Sequence, residues 1–300
     1  MAYKGRRIKK KPLYKKPGFW MAIGALVLIL ILVIWVCVAL FSGIFTIRKP
    51  EPTTLPTSQT KPVDMTEPEE PTEPMPESNP YQPVDFDVNK ETGEVILTNG
   101  KSMKGIDVSE WQGHIDWQKV KDSGVEFAII RVGGRSMDAG NFYWDDYVQA
   151  NYEGATAAGL KVGAYFFSQS VTVEEAVEEA EFLLEAVKDW DVQMPLVYDW
   201  EYMGPNVRTS KVDSRMLTDM AKAFCDTIEA AGYQSMIYFG RSQSEQMVKL
   251  SEIRDYPFWL AMYTTVLDYP YKIQMWQYTE TGSVPGVNGN VDMNIWFIYD

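Results

Sequence analysis

Pro195-Leu196-Val197-Tyr198-Asp199-Trp200-Glu201 is a short apolar run, opened by a proline, that ends in two carboxylates separated by one aromatic residue. Four strand-favouring residues after a proline predict a buried β-strand, and along a strand residues i and i+2 project from one face. Asp199 and Glu201 are therefore expected to point together, with Cα atoms roughly 6.5–7 Å apart at the rise of a strand. At that spacing one negative charge raises the pKa of the other. A pair in which one carboxyl keeps its proton while its neighbour stays ionised is what the cleavage of a glycosidic bond requires. Strands also end in polar residues for no chemical reason, so the surrounding pattern has to decide.

Working outward, the run is flanked by two segments with the same apolar spacing, Ala176, Ala180, Leu183, Leu184, Val187 before it and Leu217, Ala221, Phe224, Cys225, Ile228 after it. Both read as amphipathic helices laid on a sheet. Thr172 and Glu175 are placed to cap the first, and Gly232 to stop the second. The alternation extends over the whole C-terminal two thirds of the chain. Strands are predicted at Gly105–Ser109, Phe127–Val132, Lys161–Phe167, Leu196–Glu201, Ser235–Phe239, Phe258–Tyr263, Ile273–Tyr278 and Val291–Phe297. Helices are predicted near 117–122, 142–158, 173–188, 213–231 and 242–250. Eight strands with helices mainly between the first six predict an α/β fold, an irregular parallel β/α barrel whose last part is short of helices. Chemistry in such barrels sits at the C-terminal ends of the strands, where Asp199 and Glu201 fall. Asp107 ends the first strand, Tyr165, Tyr238, Tyr263, Trp276 and Tyr278 lie on or near the ends of later ones, and Asp292 begins the last. Acids ringed by aromatics suit a carbohydrate cleft, where sugar rings stack on aromatic planes and offer hydroxyls to carboxylates.

The N-terminal third is different. Residues 1–17 hold eight Lys or Arg and no acid, and an uncharged apolar stretch of 27 residues follows from Phe19 to Phe45. About 20 apolar residues cross a bilayer, so residues 18–45 are expected to be a single transmembrane helix with the basic tail cytoplasmic and the rest outside. Cleavage near Ala39–Gly43, as in a signal peptide, is the other reading. Residues 46–102 open with a Pro/Thr/Glu/Ser-dominated stretch expected to be an extended extracytoplasmic linker, with a lead-in strand at Glu94–Thr98 turned by Asn99-Gly100. The catalytic domain is expected over 103–300. Beyond the span the chain carries all 41 acidic residues and only 20 basic ones, which argues against a nucleic-acid partner. Of the two cysteines one lies in the span, Cys37, and the other is Cys225, so no disulfide framework is available. The single histidine, His114, leaves no His-based zinc site, and it is expected in a surface loop. No metal or cofactor is called for.

The motifs Gly105-Ile106-Asp107-Val108-Ser109-Glu110-Trp111-Gln112-Gly113, Tyr198-Asp199-Trp200-Glu201, Trp276-Gln277-Tyr278 and Gly286–Asn294 (GVNGNVDMN) occur in the order found in family 25 glycoside hydrolases. Residues 103–300 thus resemble a lysozyme of the Chalaropsis type, an N-acetylmuramidase. The resemblance implies an irregular β/α barrel that cuts the β-1,4 bond from N-acetylmuramic acid to N-acetylglucosamine in peptidoglycan. It implies Glu201 as general acid and Asp199 as its partner. Asp107 and Asp292 would line the same cleft with Tyr165, Tyr238, Tyr263, Trp276 and Gln277 as substrate contacts. Whether Asp199 attacks the sugar or orients the substrate's own N-acetyl group is left open, the second being favoured. The sequence departs from the family at Phe166, where many members have His, and the loss of an imidazole near the cleft is expected to bear on pH optimum and subsite contacts. The expected partners are peptidoglycan strands and, through residues 18–45, a lipid bilayer, with a monomeric catalytic domain that remodels the cell's own wall. With no wall-binding repeats before Asp300, targeting is expected to come from the anchor and the cleft. A non-catalytic peptidoglycan-binding module is the alternative from another class; a mere binder has no need of a protonatable pair.

Overall fold

The computed structural model describes residues 74–299. The basic tail 1–17, the apolar segment 18–45 and the linker as far as residue 73 lie outside the described residues. Among the described residues no helix is long and apolar enough to cross a membrane.

A small antiparallel hairpin of β1 (Phe86–Val88) and β2 (Val95–Leu97) precedes β3 (Lys101–Val108). Then come α1 (Trp117–Asp122), β4 (Phe127–Arg135), β5 (Phe142–Trp144), α2 (Val148–Ala157), β6 (Lys161–Ser168), α3 (Val173–Val187) and β7 (Leu196–Trp200). The chain continues through α4 (Ser214–Ala230), β8 (Ser235–Gly240), α5 (Arg241–Gln246), α6 (Leu250–Ile253), β9 (Phe258–Ala261), β10 (Met275–Gly282) and β11 (Val291–Ile298). Around the barrel the order is β3-β4-β6-β7-β8-β9-β10-β11, and β11 returns to pair with β3. Every predicted barrel strand is present. The flanking helices form as their spacing requires: Thr172 accepts the amide of Glu175 at 3.2 Å to cap α3, and Gly232, at φ +88°, ends the turn after α4.

Three expectations are corrected. The barrel is not wholly parallel, because β11 runs antiparallel to both β10 and β3. The stretch between Gly282 and Val291 is too short for the crossover of a dozen or more residues that a parallel return needs. The helix expected near 142–158 is helical only over Val148–Ala157, since Phe142–Trp144 turns back along β4 as β5. The helix near 242–250 is split into α5 and α6.

Period-two alternation divides the barrel wall into two layers. Ile106, Ile130, Ala164, Phe166, Tyr198, Trp200, Ile237, Phe239, Leu260, Trp276 and Phe297 face outward into the core shared with the helices. Met103, Phe127, Ile129, Val197, Met236, Trp259 and Met275 face inward and fill the barrel as an apolar plug. Gly105 is required there, because a Cβ on it would lie 2.1 Å from the Phe127 ring.

The helix-poor wall of β10 and β11 is covered by a segment that the sequence assigned to the linker. Ser78 bridges to Tyr271, Tyr81 stacks on Phe297 at 5.0 Å, and Phe86 meets Trp276 edge-on at 5.4 Å. Val95 and Leu97 are buried in the outer core. Residues 78–100 therefore take the place that helices occupy elsewhere around the wall.

Candidate active site

Above the apolar plug, the next inward position of successive strands carries polar chemistry. Asp107 comes from β3, Arg131 from β4, Tyr165 from β6, Asp199 from β7, Tyr238 from β8, Gln277 from β10 and Asp292 from β11. With Glu201, Trp111 and Tyr263 from segments beyond the strand ends, they line a pocket of about 210 Å³. Asp292 reaches it because β11 runs backwards: its first residues lie at the mouth, and Asp292 is the register partner of Asp107.

Asp107 is held by a lattice of hydrogen bonds. Its Oδ2 accepts from Asn294 Nδ2 at 2.7 Å and from Gln277 Nε2 at 2.9 Å. Gln277 Oε1 accepts from the Tyr238 hydroxyl at 3.0 Å and the Tyr263 hydroxyl at 3.2 Å. Asn294 Oδ1 accepts from the Trp259 indole at 2.9 Å. Each amide is thereby fixed in one orientation, because donors face its oxygen and an acceptor faces its nitrogen.

The acids are crowded and poorly compensated. Arg131 is the one basic residue lining the pocket, and its charge is already shared by Glu110 and Asp145, each at 2.8 Å. Burial pushes the Asp107 carboxyl up to about 6 against the help of Asn294 and Gln277, and Glu201 adds to the rise. Burial, then the charges of Asp107 and Glu280, push Asp292 up to about 8. Asp199 and Glu201 stand two residues apart at one strand end and share the pocket. Burial raises both carboxyls, Asp199 well above the ordinary range with the charges of Glu201 and Asp107 adding to it. Two buried carboxyls that raise one another resist ionising together, so they hold a proton as a pair. Asp199 Oδ1 has no hydrogen-bond partner although it is buried, which leaves an acceptor for a ligand.

Of the residues singled out from the sequence, Glu201, Asp199, Asp107, Asp292, Tyr165, Tyr238, Tyr263 and Gln277 share this pocket. Trp276 does not, nor does Tyr278. Both project from the outer face of β10, one residue out of phase with Gln277, and Trp276 is buried against Phe86 with its indole N–H donated to the carbonyl of Met262 at 2.9 Å. Phe166 is likewise behind the wall, packed on Phe142 at 5.8 Å and Phe182 at 5.4 Å. Phe166 therefore lies in the outer core and outside the pocket, which corrects the expectation that this position bears on subsite contacts. His114 sits exposed in a loop, edge-on to Tyr147 at 5.2 Å. Asn294, Trp259 and Arg131 were missed. Asn294 stands two residues after Asp292 on the same strand face, which is the signal that would have found it. Trp111, within a quoted motif but not singled out, is 80% exposed at the rim. No cluster of His, Cys, Asp or Glu among the described residues is arranged to hold a metal ion.

Comparison with known proteins gives one answer. Residues 106–287 match the family model of glycosyl hydrolases family 25. The chain is 28% identical over 203 residues to lysozyme M1 of Streptomyces globisporus, covering 64% of this chain and 67% of that protein. It is 30% identical over 204 residues to YegX of Escherichia coli K12, covering 65% and 70%. Among solved structures it resembles the modular autolysin LytC of Streptococcus pneumoniae with a TM-score of 0.60 and 27% identity, over 71% of this chain. The chain spans half the length of LytC.

Proposed function

The chain belongs to family 25 of the glycosyl hydrolases and is a peptidoglycan hydrolase, and from that premise we propose an N-acetylmuramidase of the Chalaropsis type in which Glu201 gives the proton and Asp199 positions the substrate. The observation that carries the assignment is that these two carboxyls share the mouth of an acid-lined pocket. A protonated member is available near neutral pH because burial and mutual repulsion keep the pair from losing its last proton. The placement also bears on mechanism. Both carboxyls rise from the end of one strand, two residues apart, whereas an inverting pair stands roughly 6.5–9.5 Å apart with a water between. They fit one side of the scissile bond rather than straddling it. The nucleophile is then the substrate's own acetamido oxygen, and the unpartnered Asp199 Oδ1 accepts the acetamido N–H and turns that group toward the anomeric carbon.

Tyr165, Tyr238, Tyr263 and Gln277 contact the sugar, Asp107 and Asp292 flank it, and the exposed Trp111 offers a stacking face at the rim. The enzyme works as a single-pass membrane protein with a cytoplasmic N-terminus, a monomeric catalytic domain outside and the cell's own wall as substrate. The basic residues of 1–17 and the uncharged stretch that follows support this placement. Glu201→Gln tests the assignment: purified walls cleared by the wild-type protein should stay turbid, and mass spectrometry of wild-type digests should find reducing N-acetylmuramic acid ends. Equal clearing by the variant would remove Glu201 from its role. Sedimentation onto walls without turnover by either protein would favour a binding module.

A further inference from the structure

The residue proposed to give the proton lies one position past the end of its strand, where a backbone ordinarily loses its ladder partners. β7 ends at Trp200, the ladder to β6 stops at the pair Ser168 and Trp200, and the ladder to β8 stops one residue earlier, at Asp199 and Tyr238. The carbonyls of Trp200 and Glu201 nevertheless both have partners. On the β8 side, Gln243 of α5 donates its Nε2 to the Trp200 carbonyl at 2.7 Å. On the β6 side, Gln169 donates its Nε2 to the Glu201 carbonyl at 3.1 Å and to the Ser168 carbonyl at 2.8 Å. Each glutamine follows closely on the strand that neighbours β7 on that side, and a primary amide presents the same donor as a peptide group.

Gln169 is itself held without freedom to flip. It is fully buried, both amide hydrogens are used on carbonyls, and its Oε1 accepts from the Thr209 hydroxyl at 3.3 Å. Its backbone carbonyl takes a hydrogen bond from Arg208 Nη1 at 2.7 Å, and Arg208 is clamped by both oxygens of Glu175 at 2.9 and 2.5 Å. The indole of Trp200 adds a bond to the carbonyl of Ser170 at 3.1 Å.

We propose that Gln169 and Gln243 are positioning residues whose side-chain amides continue the sheet's hydrogen-bond ladder past the end of β7 and so fix the backbone that aims Glu201. The inference rests on the assignment of Glu201 above. Neither glutamine lines the pocket, so each acts on the reaction only through the main chain of residues 200 and 201.

The test uses the full chain with Gln243→Met and Gln169→Met, which keep length and remove the donor. Gln243 is only half-buried, so its variant serves even where the buried Gln169 does not tolerate replacement. With rates normalised to the folded fraction by near-ultraviolet circular dichroism, kcat on solubilised glycan strands should fall about 10-fold or more, since small displacements of a reacting group cost up to about 100-fold. KM should stay within about 2-fold, because no substrate contact is removed. The basic limb of the kcat–pH profile should also move, as the proton donor leaves its place beside Asp199. A variant with the wild-type kcat, or one that loses rate only in proportion to folded protein with an unmoved pH profile, overturns the proposal. Retained hydrolysis in Glu201→Gln would instead overturn the assignment of Glu201 itself, so the two failures are distinguishable.

Discussion

Replacing Asp107 by Asn should make the protein more stable at neutral pH and a poorer enzyme. The Asp107 carboxyl is buried and pushed from 3.8 up to about 6. A carboxyl raised on folding binds its proton more tightly in the native than in the unfolded chain. Its contribution is therefore fully present below about pH 4 and is lost as pH rises through about 6. A shift of roughly two units corresponds to about 3 kcal/mol at 1.36 kcal/mol per unit, which the wild-type protein forgoes above about pH 7. Asparagine fits the site, because both hydrogen bonds to Asp107, from Asn294 and Gln277, fall on the same oxygen, and the amide carbonyl can take that place with its NH₂ toward the other acids. Urea unfolding followed by tryptophan fluorescence should show wild-type stability declining between pH 4 and 7 relative to Asp107→Asn, the two curves separating by about 3 kcal/mol. Curves that stay parallel across that range would refute the claim that this carboxyl ionises at a cost to the fold.

Trp111→Ala should raise KM for glycan strands about 5-fold, the equivalent of about 1 kcal/mol of lost stacking, with the melting temperature unchanged because the ring is 80% exposed. Phe86→Ala should destabilise the domain by about 2–3 kcal/mol through loss of its edge contacts with Trp276 and Phe297, read by chemical denaturation. A chain begun at residue 103 should lose at least as much. Phe166→His should lower stability by about 2–4 kcal/mol by burying a polar ring among Phe142 and Phe182, while the pH optimum of hydrolysis stays in place.

The strands were legible because each carries the short, near-continuous apolar run that a wall apolar on both faces leaves in sequence. The direction of β11 alone was misread, although the short link from Gly282 to Val291 held the information. The two-residue period of a strand would have excluded Trp276, since Gln277 and Trp276 cannot both face inward, and it would have found Asn294 from Asp292. The cover formed by residues 78–100 was read only in part, as the strand at Glu94–Thr98. The stretch before it has the composition of a linker, and only the outer faces of Trp276, Tyr278 and Phe297 create the need for a cover. Arg131 was invisible because an arginine inside a run as apolar as Phe127–Val132 announces burial but not the partners, Glu110 and Asp145, that come from other loops.

The reversal of β11 ties fold to chemistry. Had β11 run parallel to its neighbours, Asp292 at its start would lie at the base of the barrel, with the apolar plug between it and the mouth. Running backwards, it sets Asp292 beside Asp107, whose charge raises it. Four carboxyls then face one arginine whose charge is already matched, an arrangement that destabilises the native state as they ionise. The surrounding apolar layers, inner plug and outer core alike, supply the stability against which that cost is set, and in the proposed mechanism the proton that Asp199 and Glu201 retain is the one Glu201 delivers.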